Sequence, residues 1–158
     1  DKCFPANVYG AGIRLPDNSV LPVDTPVLVA EPVTWEVEFR CFVVDRQVAT
    51  LSPYWREGQL AQAEDGSWTD HRMAEAEQFA SSVLNDSRVV VPPAVVLDVG
   101  WIVDRGWAVI EANAAWDSGI YGCDPSAVLR VTRRSCLRPE KVTDDDRPWI
   151  INRTSAAV

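Results

Sequence analysis

The chain has 158 residues, 47% hydrophobic and 24% charged, with a formal net charge of -8. That length supports one domain with a real core, and the acidic balance argues against a nucleic-acid backbone as the main partner. No apolar run is long enough to cross a bilayer, and no signal-peptide pattern opens the chain.

Residues 1–26 are rich in glycine and proline and read as irregular, with one short strand around Asn7–Tyr9. Asp1-Lys2-Cys3-Phe4 reads as the interior of a longer protein. Val27–Glu31 reads as a short buried strand stopped by Pro32. Glu36–Val44 alternates, with Val37, Phe39, Cys41 and Val43 on one face and Glu36, Glu38 and Arg40 on the other. Asp45-Arg46 is the turn into a partner strand, Gln47–Tyr54, and residues 56–68 read as a loop. Thr69 or Asp70 caps a helix running to Asn85, with an apolar stripe of Met73, Ala76, Ala80, Val83 and Leu84. Asp124-Pro125 opens a second helix that ends near Ser135, where Arg133 and Arg134 suit the negative end of its dipole. Strands joined by hairpins, with two helices between and after them, predict an α+β domain built on an antiparallel sheet.

Between the helices lies the most informative stretch, VVLDVGWIVDRGWAVIEAN, over Val95–Asn113. Asp104-Arg105-Gly106 marks a hairpin turn. A two-residue loop sets Asp98 opposite Glu111, with Asn113 on the same face, two residues along. That register also puts Trp107 and Val109 on the acid face. A three-residue loop with Gly106 in the left-handed region would shift the pairing by one and separate the acids. Opposed like charges destabilise a sheet. The face therefore either carries two solvated surface acids or takes a hard cation such as Mg²⁺, which suits carboxylate and amide oxygens.

Cys3, Cys41, Cys123 and Cys136 form no C-x-x-C pair, and His71 is the one histidine. This excludes a standard zinc site by spacing and does not resemble a disulfide scaffold; it suits a reducing, cytoplasmic compartment, with Cys41 a buried free thiol.

Asp98 followed by Glu111-Ala112-Asn113 resembles the magnesium-binding Asp and Glu-x-Asn of the ATP-grasp superfamily, in its C-terminal nucleotide-binding lobe. Glu31 in VAEPV and Glu38 in EVEFR match the hinge acid and the second acid of that family. Further strings resemble a group of bacterial, actinomycete-type ATP-grasp proteins: Lys2–Ala6, Val27–Val33, Glu38–Val43, Ser52-Pro53-Tyr54 and Glu111–Gly122. The resemblance covers Lys2 to Ser135. It implies a lobe over 1–138 and leaves the tail over 139–158 without an assigned role.

The resemblance implies a Mg-ATP-dependent carboxylate–amine or carboxylate–thiol ligase acting through an acylphosphate. It assigns Asp98, Glu111 and Asn113 to magnesium. Glu31 and Val33 fall to the adenine edge, Glu38 to the ribose and Lys2 to the phosphates. Arg40 is the catalytic cation at a phosphate or acylphosphate oxygen, or else the ion-pair partner of Glu36 or Glu38 on its own strand. Trp116 and Tyr121 line a substrate pocket, or only pack their loop against the sheet, and Ser118-Gly119 approach a substrate carboxylate with backbone N–H groups. Where some peptide ligases carry an arginine two residues before the metal-binding aspartate, this chain has Val96, so their substrate grip does not carry over. The partners implied are a small carboxylate and an amine, with no nucleic acid and no membrane, and a homodimer is left open. The competing expectations are a nucleotide-binding module without ligase activity and a β-domain with a merely solvated acid face.

Overall fold

The computed structural model describes residues 7, 8, 10, 24 and 29–150. The chain falls into two units, Asp1–Val33 and Thr34–Val158. In the first, Asn7, Val8 and residues 29–33 lie outside any strand. The expected strand Val27–Glu31 is therefore absent over its described part, where Pro32 withholds a ladder donor. Lys2 lies outside the described residues.

The second unit carries a five-stranded antiparallel sheet: β1 Trp35–Val44, β2 Gln47–Arg56, β3 Gln59–Leu60, β4 Ala94–Ile102 and β5 Gly106–Asn113. Spatial order is β3-β2-β1-β4-β5, so β1 is central. Helix α1, Met73–Asn85, and helix α2, Pro125–Ser135, complete the α+β architecture expected from the sequence.

Period-two alternation on β1 feeds two cores. Val37, Phe39, Cys41 and Val43 pack with Val95, Leu97 and Val99 of β4 against Ala76, Ala80 and Leu84 of α1. Phe42 faces the other way, with Val96 of β4 and Val128 and Val131 of α2. Each fully buried Phe or Leu here contributes about 1.5–3 kcal/mol. Arg40 and Asp98 sit on the α2 face of this sheet.

Local chemistry sets the ends of the elements. Asp45 and Arg46 both take positive φ, 49° and 63°, and Val44 pairs with Gln47, as a two-residue hairpin turn requires. The Arg46 guanidinium then donates to the carbonyls of Leu84, Asp86 and Val89 at the end of α1. Neither Thr69 nor Asp70 caps α1, which starts after Arg72 with no side-chain cap; Asp70 instead accepts from Arg72 N–H at 2.8 Å in the turn before it, whereas Asp124 accepts from Ser126 and Ala127 at the start of α2. Residues 56–68, expected as loop, also contain the short edge strand β3.

The β4–β5 hairpin departs from expectation at its turn. Ile102 pairs with Gly106, so the loop has three residues, and Gly106 has φ 92°. Near the turn the register is the shifted one, and Trp107 lies opposite Trp101. It packs on Phe39 and Phe79 of the α1 side rather than on the acid face. A bulge then restores the count: Val109 pairs with Val99, Ile110 is the extra residue, and Glu111 pairs with Asp98.

Candidate functional site

Strand β1 sets Arg40 opposite Asp98 of β4 on one side and Ser52 of β2 on the other. The guanidinium forks the carboxylate: Nε donates to Oδ1 at 3.0 Å and Nη2 to Oδ2 at 2.7 Å. Asp98 is fully buried and Arg40 nearly so. Two short bonds in this fork are the geometry of an ionised pair. Burial pulls the Arg40 pKa down, but the bond to Asp98 and its charge more than reverse that, and the group stays a cation. Burial pushes the Asp98 carboxyl up, against the pull of the same fork.

Beyond Asp98 stand Glu111, exposed, and Asn113, half-buried. Asn113 Nδ2 lies 2.9 Å from Glu111 Oε1 and 3.4 Å from Asp98 Oδ2. The positive end of an amide dipole thus sits between two carboxylates. Glu38 joins from β1 and accepts from the Tyr54 hydroxyl at 2.5 Å. Burial raises the Glu38 carboxyl, the Tyr54 bond opposes this, and the charges of Asp98 and Glu111 add to the rise. Tyr54 is pushed up in turn, first by burial and then by its bond to Glu38.

Residues 114–122 close the site from above. Arg40 Nη1 donates to the Gly119 carbonyl at 3.3 Å, and the guanidinium lies 5.0 Å from the Tyr54 ring and 5.1 Å from the Tyr121 ring. The two tyrosines stack at 5.2 Å, and Trp68 tilts on Tyr121 at 5.5 Å. Gly122 N–H donates to the buried Ser52 hydroxyl at 3.1 Å. A Cβ on Gly122 would stand 2.2 Å from Trp68 Cβ, so only glycine fits.

The fold therefore brings together Glu38, Arg40, Asp98, Glu111, Asn113, Gly119 and Tyr121. Gly119 presents its carbonyl to Arg40. The Ser118 hydroxyl turns back to the Ala114 carbonyl at 2.9 Å, and Trp116 is 48% exposed. Glu31 and Val33 belong to the first unit. Tyr54, Ser52, Trp68 and Gly122 were not singled out as site residues from the sequence. Tyr54 and Ser52 were within reach, being two apart on a strand next to the one carrying Arg40. Trp68 was not, since it arrives from a loop.

Two carboxylates and an amide converge here; the amide turns its NH2 to the acids, and its oxygen would have to rotate inward to complete an oxygen set suited to a hard divalent ion. Among the described residues no group of three or more His, Cys, Asp or Glu side chains is arranged to hold a metal, so the amide is needed to complete such a set. A separate hollow of about 590 Å³, bordered by Glu36, Arg56, Asp70 and His71, contains none of these residues. Of its charges, Arg56 pairs with Asp70 at 2.8 Å and Glu36 with Arg72 at 3.2 Å.

The family model for the ATP-grasp domain, R2K clade family 2, matches residues 1–131. The chain belongs to this ATP-grasp family. No curated protein and no solved structure matches it. Membership implies an ATP-dependent, ligase-type function for the ATP-grasp domain, with ATP as its nucleotide. Among its described residues, no helix is long and apolar enough to cross a membrane.

Proposed function

We propose that this ATP-grasp domain is the nucleotide- and metal-binding lobe of a carboxylate–amine or carboxylate–thiol ligase. The observation that carries the reading is the convergence of Arg40, Asp98, Glu111 and Asn113 on one sheet face. In this reaction class a substrate carboxylate oxygen attacks the γ-phosphorus of ATP, the bond to the β-phosphate oxygen breaks, and ADP leaves. An amine or thiol then attacks the acyl carbon, loses its proton and displaces phosphate. Such chemistry depends on positioning and charge neutralisation more than on a protein nucleophile.

Asp98, Glu111 and Asn113 would hold magnesium, which when bound neutralises phosphate charge. Arg40, kept cationic and braced by two tyrosine rings, binds a phosphate or acylphosphate oxygen. Glu38 receives the ribose hydroxyls, and the backbone at Glu31 and Val33 reads the adenine edge, while Lys2 binds phosphate. Tyr121 and Gly119 border the acyl group, with Trp116 and Ser118 further out on the same loop. A reducing compartment and small-molecule partners go with this reading.

A second reading is a nucleotide-binding module that does not ligate. It draws on the fork by which Arg40 engages both oxygens of Asp98. Thermal melting with and without Mg-ATP tests nucleotide binding. At a hundredfold excess over Kd the gain is about 2.7 kcal/mol, and no shift at any concentration refutes both readings. ATP-dependent release of phosphate by the full-length protein, screened against carboxylate and amine mixtures, separates the ligase from the module.

A further inference from the structure

We propose that Arg40 and a divalent cation compete for the carboxylate of Asp98, so that the guanidinium sets how tightly this site holds metal. The inference rests on the metal reading above.

Asp98 is fully buried, and both of its oxygens already accept from Arg40, at 3.0 and 2.7 Å. A magnesium ion needs an oxygen at about 2.0–2.1 Å. The oxygen that meets the Asn113 amide is Oδ2, which carries the shorter bond to Arg40. A cation drawn to these acids thus meets a guanidinium on the same atom, and two positive charges come close in a poorly solvated place.

The guanidinium has somewhere to go. Its third nitrogen already reaches the Gly119 carbonyl, and its plane already borders the rings of Tyr54 and Tyr121. Loosening the fork leaves it with partners rather than bare. Charge makes the exchange useful. With Glu38 counted, Asp98, Glu111 and Arg40 leave the site two net negative charges, which repel a polyphosphate. Adding a dication cancels them and frees Arg40 N–H groups for an anion.

The test uses Mn²⁺ alone, titrated by electron paramagnetic resonance into the native chain, Arg40→Gln and Arg40→Lys. Competition for the oxygens predicts that both variants bind Mn²⁺ about tenfold or more tighter than native, because both lose the fork. Equal affinities overturn the proposal. So does tighter binding in Arg40→Gln with native affinity in Arg40→Lys, since net charge alone would then explain it. If either variant fails to fold, the native chain still decides. Its Arg40 Nε–H resonance must shift on Mg²⁺ titration with the same midpoint as the backbone amide of Glu111. A static Arg40 resonance beside a moving Glu111 overturns the proposal. Glu111→Gln separates the two layers: Mn²⁺ binding that ignores Glu111 sinks the metal reading and this proposal together, whereas Glu111-dependent binding indifferent to Arg40 sinks this proposal alone.

Discussion

At the scale of single residues the two acids of the hairpin differ sharply. Asp98 is buried and forked, while Glu111 is exposed. Asp98→Ala strands a buried guanidinium and is expected to cost about 3–5 kcal/mol, read by urea unfolding. Glu111→Gln should stay within about 0.5 kcal/mol of native, as a surface change, yet remove the stabilisation by Mg-ATP. A full Mg-ATP shift in Glu111→Gln would clear that residue of any role. Gly122→Ala drives a methyl into Trp68 and should cost about 1–3 kcal/mol by overpacking. Near-UV circular dichroism would register the displaced tryptophan. The sequence displayed Asp98 and Glu111 as acids of one face, but it could not grade them. Burial is conferred by Arg40, which lies 58 residues from Asp98 in the chain, and by the way the 114–122 loop that follows β5 folds back on it.

At the scale of elements the hairpin is instructive. Its face assignment was legible for Asp98, Glu111 and Asn113, and illegible for Trp107 and for Val109, which pairs with Val99 of the α1 side. The turn takes three residues, and the bulge at Ile110 cancels the resulting slip. A bulge has little sequence signature, because any residue left unpaired by its neighbours serves. Both helices, by contrast, were legible from their apolar stripes, and α2 from its cap as well; α1 starts at Met73 without a side-chain cap. For α2 the cap is Asp124, which accepts from two backbone N–H groups. Asp124→Ala should cost about 1 kcal/mol in thermal or urea unfolding. A loss below the error of the measurement would mean that Pro125 and packing alone hold the helix start.

For the whole molecule, pH exposes how the segment after α2 is joined to the rest. Asp146 accepts from Thr143 and from Arg134 of α2, and these bonds hold its carboxyl down at about 2, against an ordinary 3.8. A depressed carboxyl binds fewer protons folded than unfolded. Its stabilisation is therefore complete above about pH 4 and fades as pH falls toward 2. Native and Asp146→Ala should differ in unfolding midpoint at pH 5 and converge near pH 2, and a constant gap would remove Asp146 as the cause. Glu38 carries the opposite sign. Its raised carboxyl costs stability as pH rises, because burial opposes its ionisation.

Residue type and spacing by themselves determined the antiparallel α+β plan, the limits of α2, the end of α1 and the sharing of a face by Glu111 and Asn113, because these follow from local periodicity and capping; that Asp98 lies opposite Glu111 rests on the bulge at Ile110. The matched motifs carried the family as well. Tertiary structure alone decided that Arg40 lies across from Asp98, 58 residues away, and that Tyr54, Tyr121 and Gly119 surround it. Which strands become neighbours is settled by the packing of the whole sheet between its two helices. No local pattern encodes it, and so the partner of the buried carboxylate appears only when the chain is folded.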